Sequence, residues 1–155
     1  MKNYSFVEQD YELWVLLHQP RDAVFKAREK ELSPYGISTM QAAVLFIILA
    51  IGNEATPTEI SRWLLREPHS VSNLLSRMEK EGLVTKVKDL HRKSLVRVAL
   101  TEKGRQAYYQ SAKRESIHQT MSSLSEEERQ QLRSYLVKLR DQALKQLVRD
   151  PVYLS

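Results

Sequence analysis

A run of short polar side chains lies on one face of the segment at residues 67–83. Their hydroxyl, amide and imidazole groups, with one guanidinium, are the groups that read base edges and phosphates. These side chains are His69, Ser70, Ser72, Asn73, Ser76 and Arg77. The opposite face has the i, i+3, i+4, i+7 spacing of a helix packed on a core. It consists of Val71, Leu74, Leu75 and Met78. We predict a DNA recognition helix, although an ordinary amphipathic surface helix would show the same pattern.

The segment before this helix predicts the first half of a helix-turn-helix. Thr56 and Glu59 have the spacing of a capping box, and Pro57 occupies the first helical position, so a short helix is expected at residues 57–65. Only a tight connection then remains before Pro68 starts the next helix. This spacing is typical of a helix-turn-helix.

After Gly82 the pattern changes from a period of 3.6 residues to a period of 2. Residues 84–88 and 95–100 alternate like strands, and residues 89–94 between them are polar and basic. We predict a two-stranded wing whose tip enters a minor groove or contacts flanking phosphates. Its candidate DNA-binding residues are Lys86, Lys88, His91, Arg92, Lys93 and Arg97.

The positive charge of the chain is concentrated in this region. Residues 62–105 hold 11 Lys and Arg against 5 Asp and Glu, whereas all other positions hold 13 against 14. A basic patch on an otherwise neutral protein indicates a polyanionic partner, and double-stranded DNA is the leading candidate.

Helices are predicted on both sides of this region. Residues 4–18 form an amphipathic helix with an aromatic seam, and Pro20 predicts a kink or a break before a second helix that ends at Leu32. Tyr11, Trp14 and His18 on the seam could line a pocket for a small aromatic or amphipathic effector. Packing in the core of a dimer is the simpler explanation of the same residues.

Capping residues set the starts of the remaining helices. Ser38 and Gln41 start the apolar helix Thr39–Ile51, and Thr101 starts a helix that could extend to residue 123. A third capping box, at Ser125, starts a last helix with a two-helix seam that runs to residue 148. The expected fold is mainly α with a small two- or three-stranded β wing and long terminal dimerisation helices. We divide it into residues 1–34, 35–104 and 105–155.

Several functional classes fit the sequence poorly. Cysteine is absent, the four histidines are dispersed, and no phosphate loop or nucleophile motif occurs, so we expect no enzyme, no metal and no cofactor. There is no signal segment, and the most apolar stretch, residues 42–52, is too short to cross a bilayer; we expect a cytoplasmic protein. A winged helix that contacts proteins instead of DNA remains the alternative.

Three short motifs carry a family resemblance over nearly the whole chain. They are Thr58-Glu59-Ile60, the run from Leu74 to Val84 that contains EKEGLV, and the closing LTEKG from Leu100 to Gly104. With this order of elements the chain resembles the MarR family of winged helix-turn-helix transcriptional regulators. The resemblance implies a homodimer joined by its terminal helices, two recognition helices in successive major grooves of a pseudo-palindromic operator, and often an effector pocket. A repressor is the expected role.

The wing departs from the family pattern. The family commonly has aspartate, proline, an acidic residue and two arginines there, whereas residues 89–94 of this chain read DLHRKS. The alignment leaves Arg92 and Lys93 as alternatives for the groove-entering cation, and we favour Arg92 because a guanidinium is less strongly hydrated than an ammonium. Asp89 is the expected orienting partner of Arg92 or of Arg97.

Overall fold

Seven helices and one hairpin form the described part of the chain. The structure is a computed structural model that describes residues 6–52, 55–92 and 94–147. In chain order the elements are α1 (Phe6–Leu32), α2 (Thr39–Ile51), α3 (Pro57–Leu64), α4 (Pro68–Lys80), β1 (Val84–Lys88), β2 (Val96–Leu100), α5 (Glu102–Ser111), α6 (Glu115–Met121) and α7 (Glu126–Leu147). A 3₁₀ turn, Ser33–Tyr35, joins α1 to α2. The predicted fold class is confirmed.

The core lies where α2, α3, α4 and the hairpin meet. Strands β1 and β2 pair antiparallel with Val84 opposite Leu100, and the Val98 amide donates to the Ala55 carbonyl 2.8 Å away. The whole apolar face of α4 is buried there, together with six of the thirteen residues of α2. Helix α4 therefore has a fixed inner face, which leaves its polar face outward.

The helix starts follow the predicted capping residues. Ser38 and Gln41 form a complete capping box, and the Thr101 hydroxyl accepts the Gly104 amide at 3.0 Å. Ser125 and Glu128 exchange both capping hydrogen bonds, at 2.8 and 3.1 Å. Each of these boundaries therefore has the local hydrogen bond that its capping residue predicts.

Helix α1 runs through Pro20 without ending, because its remaining hydrogen bonds outweigh the one donor that proline removes. The predicted break is therefore excluded, and the kink, its alternative, stays a prediction. One further helix boundary was predicted wrongly. The helix expected from Thr101 towards residue 123 instead stops at Ser111, and α6 begins only after Arg114. Arg114 has φ +48°, a left-handed conformation that interrupts a right-handed helix. The three-part domain division stays a prediction.

The EKEGLV and LTEKG motifs pack directly on each other. Lys103 Nζ donates to the Glu81 carbonyl at 2.6 Å, and the Thr101 amide donates to the Leu83 carbonyl at 3.2 Å. A Cβ on Gly104 would overlap that same Leu83 carbonyl, so only glycine allows the approach. The two motifs are therefore one packing unit that closes the hairpin against the end of α4.

The outer helices leave apolar side chains uncovered. Helix α7 buries none of its described residues, and the first five turns of α1 bury none either. Their exposed apolar residues include Tyr11, Leu13, Trp14, Leu16, Tyr135, Leu136 and Leu139. A single chain thus presents a large unpaired apolar surface on these two helices.

Across the described ranges 6–52, 55–92 and 94–147, no single helix has both the length and the apolar character to span a membrane. The segments Phe6–Tyr35 and Thr39–Ile51 reach that length and apolar character only when taken together, and the chain bends by 83° between them.

Candidate nucleic-acid interface

The polar face of α4 is open to solvent along most of its length. His69, Ser70, Ser72, Asn73 and Arg77 are all exposed, and only Ser76 is half-buried. Asn73 Nδ2 and His69 Nε2, one turn apart, lie 3.2 Å from each other. This contact gives both side chains a defined orientation while their remaining donors and acceptors face outward.

Strand β1 continues this polar surface. Lys86 Nζ donates to Ser76 Oγ at 3.2 Å and lies 3.9 Å from a carboxylate oxygen of Glu79. Ser76 is half-buried because it faces the wing. The contact places the wing beside the exposed face of α4, so that helix and hairpin form one continuous surface.

Asp89 organises the tip of the wing. One carboxylate oxygen accepts the amides of His91 and Arg92 at 2.7 and 2.8 Å, and the other accepts Arg97 Nε at 2.8 Å. The hydrogen bonds from the His91 amide, from Arg97 and from the Arg92 amide hold the pKa of Asp89 below its usual range. Asp89 therefore stays ionised and holds the tip against β2.

The remaining predicted wing residues fall into three groups. Lys88, His91 and Arg92 are exposed at or near the tip, whereas Arg97 is half-buried on Asp89. Lys93 lies outside the described residues. Sequence reasoning missed Leu90, which is 94% exposed beside the cations, because an isolated leucine between polar residues carries no periodic signal.

A cavity of about 280 Å³ lies where α1, α2, α5 and α6 meet. Its apolar walls are Ala42, Ala43, Phe46 and Ile117, and its polar walls include Arg28, Thr39, Ser111 and Arg114. The Thr39 hydroxyl is buried without a hydrogen-bond partner. Arg28 Nη1 lies 3.0 Å from a Glu31 carboxylate oxygen but is not aligned with it for a hydrogen bond. Arg114 lies over the Phe46 ring, 5.1 Å from its centroid.

The residues predicted for an effector pocket do not line this cavity, and their role stays a prediction. Tyr11, Trp14 and His18 form a ladder along α1, with ring centroids 5.4 and 4.3 Å apart. They line neither this cavity nor the three other cavities found near α2, α4 and α5. Sequence reasoning missed Arg28 and Thr39, because a charge near a helix end and a residue at a helix start have ordinary structural explanations.

The part of the chain that the structure describes contains no group of three or more His, Asp or Glu side chains placed to hold a metal ion.

Proteins that are similar in sequence and in fold have the same arrangement of helices and wing. A family model described as the MarR family matches residues 35–93. The organohalide-sensing transcriptional regulator RdhR-CbdbA1625, solved with 2,4-dichlorophenol, is 36% identical, with 93% of this chain and 88% of that chain covered and a TM-score of 0.79. This chain belongs to the MarR family.

Other MarR-family structures have the same fold. A MarR-family protein from Bacillus stearothermophilus is 27% identical over 91% of this chain and 99% of its own, with a TM-score of 0.68. A cysteine-to-serine mutant of E. coli MarR in complex with operator DNA is 22% identical over 88% and 99% of the two chains, with a TM-score of 0.78. No curated protein matches the chain in sequence. As a MarR-family member the chain is a DNA-binding transcriptional regulator.

Proposed function

We propose that this MarR-family regulator is a homodimeric repressor that reads a pseudo-palindromic operator with α4 and the wing. The observation that carries the proposal is the Lys86–Ser76 contact, which joins the exposed polar face of α4 to the basic wing. A surface with short hydrogen-bonding groups at its centre and cations beside it is complementary to bases flanked by phosphates.

The two parts of this surface have different roles. We assign base reading to Ser70, Ser72, Asn73 and Arg77, because amides and guanidinium groups can make paired hydrogen bonds to purine edges. His69 lies near the helix start and suits a phosphate. On the wing, we assign minor-groove entry to Arg92 and backbone contacts to Lys88, His91 and Lys93. Lys86 and Arg97 mainly hold the wing, through Ser76 and Asp89 respectively.

Dimerisation is supported by the uncovered apolar residues of α1 and α7. A second copy of the chain would cover them, and a two-fold axis would set two α4 helices on one face. Such a dimer binds half-sites about 34–36 Å apart, one turn of DNA, so a change in the spacing of the helices weakens binding. The aromatic ladder of Tyr11, Trp14 and His18 belongs to this dimer seam.

An effector site is better supported at the α1–α2–α5–α6 cavity than at that ladder. Arg28, Arg114 and the unpaired Thr39 hydroxyl would bind an anionic or hydrogen-bonding group, while Phe46 and Ile117 would contact an aromatic body. The cavity joins helices of the dimer seam to α2 of the DNA-binding lobe, so a ligand there could shift one against the other. Titration with 2,4-dichlorophenol and with benzoate, against the Thr39→Val variant, tests this site.

Selection from a random duplex library tests the DNA-binding proposal. We expect one pseudo-palindromic sequence with half-sites one helical turn apart, bound by two chains as measured by light scattering. Recovery of no preferred sequence, with binding governed only by salt, would overturn it.

The alternative is a winged-helix module that contacts proteins, and the exposed Leu90 at the wing tip is the observation that favours it. In that case the selection would fail, and Leu90→Ser would leave any DNA binding unchanged. We place the protein in the cytoplasm, where its DNA partner would be found.

A further inference from the structure

Gln41 connects two helices through one side chain. Its Oε1 accepts the Ser38 amide at 2.9 Å, which caps α2, and its Nε2 donates to Glu81 Oε2 at 2.6 Å. Glu81 is the C-cap residue of α4. Gln41 is buried, whereas Glu81 is exposed. The side chain therefore links the start of α2 to the end of the recognition helix.

Further hydrogen bonds hold this same end of α4. Lys103 donates to the Glu81 carbonyl, and Thr101 donates to the Gly82 carbonyl, both from the α5 start. Apolar packing beneath α4 holds it to the core but is non-directional, so directional hydrogen bonds such as these contribute to its angle.

We propose that Gln41 is a positioning residue for DNA reading, which fixes the angle of α4 by its hydrogen bond to Glu81. This inference rests on the proposed function, because it gives the orientation of α4 a role in sequence choice. Gln41 itself touches no DNA; it acts through the helix that does.

The length of α4 makes its angle important. Thirteen residues span about 20 Å at 1.5 Å each, so a tilt of about 10° at the C-terminal end moves the N-terminal turn by about 3 Å. A displacement of that size breaks hydrogen bonds to base edges, whose distances must stay near 3 Å. Phosphate contacts through long lysine side chains tolerate it better, so sequence-specific binding suffers first.

Swapping the side chains of Gln41 and Glu81 distinguishes the positioning of α4 from the capping of α2. Gln41→Glu retains an oxygen for the Ser38 amide but sets two carboxylates against each other, which disrupts the contact with Glu81. Glu81→Gln alone retains an acceptor for Gln41. The double variant Gln41→Glu with Glu81→Gln restores the hydrogen bond with donor and acceptor exchanged, and it has the wild-type net charge.

The DNA measurement uses the duplex selected by the wild-type protein and a scrambled duplex of equal length. We expect Gln41→Glu to bind the selected duplex about tenfold more weakly, as one lost hydrogen bond and a repulsion imply, and the scrambled duplex nearly as before. Glu81→Gln and the double variant should bind both duplexes within about twofold of wild type. Gln106→Glu, an exposed change on α5, controls for the added charge and should also stay within about twofold.

Hydrogen exchange of the full-length protein gives a second readout that needs no DNA. Amides at residues 76–83 should exchange about tenfold faster in Gln41→Glu and return to wild-type rates in the double variant. If Gln41→Glu does not fold, Glu81→Ala at the exposed partner takes its place, with about threefold weaker specific binding expected. Unchanged exchange in the single variant, or no rescue by the double variant, would overturn the inference. If no duplex is selected, the proposed function fails, and the hydrogen-exchange rates alone then show whether the Gln41–Glu81 hydrogen bond holds the end of α4.

Discussion

Arg97 approaches a single carboxylate oxygen of Asp89 with two nitrogens, Nε and Nη2, each at 2.8 Å. The other oxygen of Asp89 accepts the two amides of the wing tip. One ionised side chain thus connects β2 to the tip, and the direction in which the tip cations project depends on it.

Replacement of Asp89 should weaken DNA binding although Asp89 has the wrong charge to bind DNA. Asp89→Asn keeps an acceptor for the tip amides but loses the ion pair with Arg97, and we expect about threefold weaker binding. Asp89→Ala loses both and should cost about tenfold. Fluorescence anisotropy measures both variants; tighter binding, as expected from simple removal of a negative charge, would contradict the role.

The two cations of the wing tip should differ in their contributions. We expect Arg92→Ala to lower operator affinity more than Lys93→Ala, with a loss of about 1–3 kcal/mol for a groove contact. Neither variant should alter the oligomer. Lys113→Ala, an exposed residue after α5, is the matched control. A larger loss from Lys93→Ala would reverse the assignment.

Acid should destabilise the fold through Glu31. Burial alone would raise the pKa of Glu31, but the hydrogen bond from the Ser116 side chain, the Arg28 guanidinium 3.0 Å away and the hydrogen bond from the Glu115 amide outweigh it and lower the pKa from 4.5 to about 2. Because the folded pKa is depressed, this stabilisation is present above about pH 5 and is lost as the pH falls towards 2. The free energy of unfolding of Glu31→Gln should therefore be lower than wild type at pH 7 and converge with it near pH 2.

Urea denaturation at one fixed protein concentration measures this convergence, since a dimer's apparent stability depends on concentration. Glu127→Gln, an exposed change of the same kind, is the control. Parallel curves for wild type and Glu31→Gln across the whole range would contradict the assignment.

The last helix should be required for assembly. Truncation after Leu124 removes α7 and should give a monomer or an aggregate, because the apolar seam is lost. The paired change Leu136→Glu with Leu139→Glu should have the same effect without shortening the chain, whereas Gln131→Glu on the same helix should not. Light scattering distinguishes these results, and a stable dimer from the truncated chain would show that α7 is not the seam.

Local patterns in the sequence predicted most of the fold. The buried face of α4 followed from helical spacing at Val71, Leu74 and Leu75, and the helix starts followed from capping residues. These features depend on neighbours within four residues, so the sequence displays them directly. The position of the wing beside α4 does not depend on such near neighbours alone, because the Lys86–Ser76 contact joins different elements.

Contacts between residues far apart in the sequence account for the features that could not be predicted. The Thr39 hydroxyl lines the cavity, and Gln41 reaches Glu81, only once α1, α2, α4 and α5 are packed. Each residue has a sufficient local explanation as a cap or a surface charge. The left-handed position between α5 and α6 was likewise missed, because Arg114 occupies it and not the glycine that usually marks such a turn.

Parallel duplex selections with wild-type protein and with Asn73→Ala test the central claim most directly, since that claim is that the exposed face of α4 reads sequence. We expect the variant to lose base preference at one position in each half-site, to bind the wild-type operator with a loss of about 1–3 kcal/mol, and to keep its affinity for scrambled duplex. The same selected sequence from both proteins, with equal affinities, would contradict it.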